Sequence, residues 1–183
     1  MDKLDLEELV HLAIHASTQQ RHDDAINYLK NAQEKQADNP HVTLLLAAEY
    51  AQIKMYERAL DYFEKTTHLA PELLVARLQW GLLLMVLNRL DTAQEALSPL
   101  LELPSDNAYG LFASGLEALI NRDITKAITQ LNKGIEQNKE NEPLNMDIQK
   151  IIDDIQQQQD TEQTEVDTGK NVNELLLSTY HQE

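Results

Sequence analysis

The chain contains no cysteine, and only five glycines and five prolines are spread over its 183 residues. Aromatic residues make up just 5%. The missing cysteine removes disulfides and thiol chemistry, and it fits a reducing compartment. So few glycines and prolines exclude a turn-rich β protein, whereas the Ala, Leu, Gln and Glu content favours helix. Basic side chains are scarce too. Fifteen Lys and Arg face thirty-one Asp and Glu, a formal charge of −16. That balance argues against sequence-independent binding to nucleic acid or to an anionic membrane, leaving an acidic mimic of DNA as a minor alternative. Long apolar runs are absent, since the longest, Gly81–Leu87, falls far short of a membrane span. The opening MDKLDLEELV carries acids where a secretory signal needs a basic start. A soluble, cytoplasmic protein is expected. With no glycine-rich phosphate loop, nucleophile elbow or zinc spacing, neither catalysis nor any cofactor is expected.

What the sequence does have is centred on Leu73–Leu87, LLVARLQWGLLLMVL. Only Arg77 and Gln79 interrupt its apolar residues, and a helix that is apolar nearly all round must be covered on most sides. Gly81 in its middle is costly for a helix unless something packs tightly against it. A step of 34 residues in either direction from Gly81 meets Ala13, Ala47 and Gly115, all small. A second small column runs through Ala25, Ala59, Ala93 and Ala127, and a bulky one through Leu29, Phe63, Leu97 and Leu131. Four repeats in one register, without insertion, are a repeat architecture.

These columns resemble the tetratricopeptide repeat. The unit from Pro40 to Leu73 matches best, with Leu46, Ala47, Tyr50, Ala59, Phe63 and Pro71 all as the pattern asks. Ser114 departs from it by replacing a large apolar residue, Arg77 by standing where an aromatic or Leu is usual, and Ala37 by replacing the closing proline. The resemblance covers about residues 6–141. It implies an all-α fold, a right-handed α-solenoid of helix–turn–helix repeats, and a way of binding rather than a reaction.

The coarse reading pairs helices at 3–18 and 23–36, 40–53 and 57–69, 73–87 and 91–103, and 107–121 and 125–139. Asp23, Asp91 and Thr125 are placed to cap the second helix of a pair. The repeats then run 6–39, 40–73, 74–107 and 108–141, within a solenoid of residues 1–159. A helix over 144–159 closes it, with Leu144, Ile148, Ile151 and Ile155 on one stripe and a polar opposite face. Residues 160–170 (DTEQTEVDTGK) read as a flexible acidic linker. Residues 171–183 then form an apolar tail, with Val172, Leu175, Leu176 and Tyr180 at helical spacing.

Each first helix carries a second apolar stripe, about 140° around from the one facing its partner helix. It runs through Val10, Leu44, Leu78 and Phe112, then Ile14, Ala48, Leu82 and Leu116, with Met85 in a third column. Val75 and Tyr109 extend it, and Glu7 and His41 mark its polar rim. The resemblance puts this side on the concave face. So large an apolar patch is seldom left in water without a use, and the alternative is that its side chains pack on one another. The groove lacks the Lys, Asn and Arg of the family members that clamp a chaperone's terminal carboxylate, so its ligand is an apolar peptide or amphipathic helix. Burying about 600 Å² there at about 25 cal/mol/Å² yields roughly 15 kcal/mol gross, against association costs of about 4–15 kcal/mol.

Three functional readings result. The first is a non-enzymatic adaptor or chaperone that holds a partner protein. The second is a homo-oligomerising scaffold that uses the groove or the tail, the tail being a possible occupant of the groove. The third follows a further similarity, to the translocator chaperones of bacterial type III secretion, which usually carry three repeats and a longer N-terminal extension. His11 and His15, four apart with Glu7 on one face of a helix, lack the Glu of an HExxH motif and have no Cys or third His nearby, so no metal is expected. Trp80 is expected in the core, and Arg77 at the groove edge with its head in water.

Overall fold

The computed structural model describes residues 4–162. Among them every regular element is helical: α1 (Leu6–Thr18), α2 (His22–Lys35), α3 (Pro40–Gln52), α4 (Tyr56–Leu69), α5 (Leu74–Val86), α6 (Leu90–Leu101), α7 (Ala108–Ile120), α8 (Ile124–Gln137) and α9 (Glu142–Glu162). This is the all-α, helix–turn–helix fold expected from the columns. Helix α9 continues to Glu162, into the segment read as a linker; the rest of that segment and the tail with Val172, Leu175, Leu176 and Tyr180 lie outside the described residues.

The 34-residue columns are the packing code. A Cβ on Gly81 would meet the Leu97 side chain at 2.5 Å, and one on Gly115 would meet Leu131 at 2.7 Å. So in the third and fourth repeats the small column of the first helix receives the bulky column of the second. Ala13 and Ala47 are likewise buried, as are Leu29 and Phe63.

Three of the four first helices share a capping scheme, with Leu73 at the matching place before α5. Asp5, Asn39 and Asn107, again in 34-residue register, accept backbone N–H bonds at the starts of α1, α3 and α7. Asp5 and Glu8 complete a capping box. At the other end, Gln20, Lys54, Asn88 and Arg122 adopt φ of 58, 61, 57 and 61°. The N–H that follows each of them reaches five residues back, as in Arg21 N to Ala16 O at 2.9 Å. This is the Schellman closure, here made without glycine.

The caps expected on the second helices are corrected. Asp23, Asp91 and Thr125 lie inside the first turns of α2, α6 and α8. Arg21 and Arg89 occupy the N-cap positions of α2 and α6 without a side-chain capping bond to the helix backbone, and Asp123 caps α8 by accepting from the Lys126 N–H. The physical reason is the tight Schellman turn, which starts each second helix early.

The described residues form two compact units that divide inside α5, one ending at Arg77 and the other starting at Leu78. In the first unit Leu29, Leu46 and Phe63 are fully buried. Tyr50 stacks on Tyr62 at 5.5 Å, and Arg58 sits 5.7 Å from the Tyr50 ring. In the second unit Leu83, Leu97, Leu116, Leu131, Ile148 and Ile151 form the core. Trp80 is only half-buried.

Candidate functional site

The apolar columns of the first helices have different fates in the two units. In the first unit Val10, Leu44, Ala48 and Val75 are half-buried, and Ile14 is 45% exposed. His41 is exposed in the first turn of α3, its backbone N–H held by Asn39 Oδ1 at 3.0 Å. In the second unit Leu78, Met85, Phe112 and Leu116 have no accessible surface and Leu82 retains 3%. Tyr109 is half-buried, its ring edge-on to Phe112 at 6.4 Å.

The burial of Phe112 has a visible cause. Its ring occupies the space where a Cβ on Gly134 would lie, so α7 and α8 close around it. The corresponding positions of the other repeats hold Ala32, Thr66 and Leu100. The pairing of the smallest residue of that column with the bulkiest of the wall is a sequence signal that could have marked Phe112 as core, and spacing within the first helices alone put it in the groove. On α1, by contrast, the positions three and four from Ile14 are Val10, His11, Ser17 and Thr18, too few apolar atoms to cover it.

Polar groups that periodicity did not reveal are placed between helices. Glu49 on α3 is buried and takes a 2.8 Å hydrogen bond with His22 Nδ1 on α2. Thr66 donates to Thr43 at 2.9 Å, both buried. Asn138, the C-cap of α8, donates to Asn145 Oδ1 at 2.8 Å, and Asn145 Nδ2 returns a bond to the Asn138 carbonyl at 2.9 Å. These are structural ties that help satisfy buried polar groups, alongside local bonds such as Thr66 Oγ1 to the Tyr62 carbonyl at 2.7 Å and Asn138 Nδ2 to the Asn141 carbonyl at 3.0 Å. Burial raises the Asp147 carboxyl above its usual range, opposed by Lys150 at 3.5 Å, and it raises the Tyr56 hydroxyl.

His11 and His15 are both exposed on α1, and Gln19 Nε2 lies 3.0 Å from His15 Nε2. Among the described residues no group of three or more His, Cys, Asp or Glu is placed to hold a metal. No helix among them is long and apolar enough to cross a membrane.

Comparison with known proteins gives a family and a fold. Residues 11–72 and 78–143 match the model of the tetratricopeptide repeat. No curated protein matches the chain in sequence. Among solved structures, MamA 41-end from Desulfovibrio magneticus RS-1 is similar at a TM-score of 0.60 and 16% identity, over 95% of this chain and 92% of that one. MamA from AMB-1 is similar at 0.56 and 22%, over 73% of each chain. MamA from MSR-1 is similar at 0.55 and 22%, over 73% of this chain and 77% of that one. At such identities the likeness concerns the fold.

Proposed function

The chain belongs to the tetratricopeptide-repeat family, and from that premise we propose that it is a non-enzymatic adaptor or chaperone, working in the cytoplasm, that holds an apolar peptide or amphipathic helix of a partner protein. The observation that carries this reading is the exposure of Ile14 beside half-buried Val10, with half-buried Leu44 and Ala48 at the matching places of the next repeat. Water contact at an isoleucine and its neighbours is a standing free-energy cost that a partner's apolar side chains remove. The ligand is therefore expected to present bulky anchors at helical spacing.

The buried residues of the second unit have a different part in this reading. Leu78, Leu82, Met85, Phe112 and Leu116 keep the second unit closed, so a charge placed there tests folding before it tests binding. Ile14→Asp is the informative change, because its side chain is exposed and its helix is unaltered. Compared with the wild type in a pull-down read by mass spectrometry, Ile14→Asp is expected to lose the specific partner and to keep its circular dichroism spectrum. Equal capture by both proteins would remove this surface from the reading.

A further inference from the structure

The wall on the first unit needs an occupant, and the chain itself carries a segment of matching chemistry. We propose that the C-terminal segment of a second copy of this chain, residues 172–180, seats its apolar stripe on the Ile14 face, and that the exchange is reciprocal. The proposal rests on the reading of that face as a binding surface and names its ligand.

Three observations support this occupant. The first is chemical match. Val172, Leu175, Leu176 and Tyr180 recur at helical spacing, the arrangement an apolar face flanked by polar residues selects. The second is length. Described structure ends at Glu162, and the stretch 163–183 spans up to about 70 Å when extended, of which about 30 Å precedes Val172. A stretch of that length is long enough for its apolar part to meet another molecule. The third is charge. The stretch preceding it, DTEQTEVDTGK, is acidic, and two chains of −16 repel overall, so a segment carried by this arm is accepted only where the local charge is less negative. An acidic arm avoids carboxylates, and on α1 and α3 the apolar face is flanked by His11, His15 and His41 as well as by Glu7.

Reciprocity supplies the area that a single contact lacks. A stripe of four side chains against one face falls below the ~1,600 Å² of a standard stable interface, whereas two such contacts approach it. Each copy then offers the same face and donates the same segment. That is the self-complementary arrangement that closes a two-fold dimer and stops there.

The test uses the full chain in three forms: wild type, Ile14→Asp, and Leu175→Asp with Leu176→Asp. Sedimentation velocity over a concentration series is expected to show the wild type passing from monomer to dimer and both variants remaining monomeric. Mixing the two variants is expected to restore association through the one contact that remains, intact face against intact segment, as a heterodimer weaker than the wild-type dimer and populated only at higher concentration. That rescue also shows that neither variant has merely misfolded. A labelled peptide of residues 171–183 is expected to bind the Leu175→Asp, Leu176→Asp chain and not Ile14→Asp. A wild type that stays monomeric throughout, or a dimer indifferent to the segment variant, would overturn the proposal. A monomeric wild type that binds the peptide at least tenfold more weakly than the segment variant does would place the segment on its own chain, and this also overturns it. Failure here is distinguishable from failure of the adaptor reading: if Ile14→Asp loses a captured partner while the wild type is monomeric, the face binds but this segment is not its ligand.

Discussion

Gln20, Lys54, Asn88 and Arg122 show how much a single backbone angle can cost. All four sit at positive φ, where a side chain crowds the backbone, and no glycine of the described chain is used there. Asparagine tolerates the region best. Lys54 is exposed and makes its turn through backbone bonds, Lys54 N to Ala51 O at 3.0 Å and Met55 N to Tyr50 O at 2.8 Å. Lys54→Gly is therefore expected to stabilise the protein by about 0.5–1 kcal/mol, the relief of strain less the extra entropy of glycine. The urea midpoint measures it, and Asn88→Gly should gain less. Gly134 has the opposite requirement. Its missing side chain is the space the Phe112 ring fills, and an aromatic ring cannot fold aside as a flexible chain end does. Gly134→Ala gains helix propensity of about 1 kcal/mol, yet the overpacking costs about 1–3 kcal/mol. A net loss of stability is expected in thermal or urea unfolding, and a gain would show that α7 and α8 separate easily.

At the scale of the element, side-chain columns were legible and turn chemistry was not. Small and bulky residues recur every 34 positions because two helices must interlock, so Ala13, Ala47, Gly81 and Gly115 revealed the pairing before any coordinates. The starts of α2, α6 and α8 were misread because the turn before them depends on φ at Gln20, Asn88 and Arg122, residue types that carry no turn signal comparable to glycine. Helix α6 ends at Leu101, two residues early, just beyond Pro99. That proline leaves the Glu95 carbonyl without its helical donor, and Ser98 Oγ supplies one at 3.1 Å. The wall was half legible. Spacing put Val10, Leu44, Leu78 and Phe112 on corresponding sides of their helices, but burial depends on what packs against each, as Gly134 does against Phe112, and periodicity within one helix does not contain that. The tie between α8 and α9 was invisible, since two asparagines seven apart follow no period. Asn145→Ala leaves the Asn138 amide and carbonyl short of partners in a buried place, at a cost of about 1–3 kcal/mol. Amides at the start of α9 are expected to lose hydrogen-exchange protection, with those of α2 unchanged. Equal loss in both helices would mean the tie acts on the whole fold.

The molecule as a whole spends its large side chains unevenly, and its local stability is expected to follow. Helix α1 buries Leu9, Ala13 and Ala16, one large residue and two small ones, and leaves Ile14 in water. Helix α7 buries Phe112, Leu116 and Leu119 together with Ala113, Gly115 and Ala118. Two more large apolar side chains at about 1.5–3 kcal/mol each favour α7 by at least about 3 kcal/mol. Repeat proteins open locally, because each repeat depends chiefly on its neighbours rather than on one shared core. Amides in the middle of α1 are therefore expected to exchange through local opening at least about 100-fold faster than those of α7, the factor that a 3 kcal/mol difference corresponds to. The same imbalance suits a binding surface, since a ligand that covers Ile14 adds the apolar contact α1 lacks. Peptide 171–183, added at saturating concentration to the chain carrying Leu175→Asp and Leu176→Asp, should then slow exchange in α1 and leave α7 as it was. Slowing that is equal in both helices, or confined to α7, would show that the ligand's energy enters the fold somewhere other than the face that exposes Ile14.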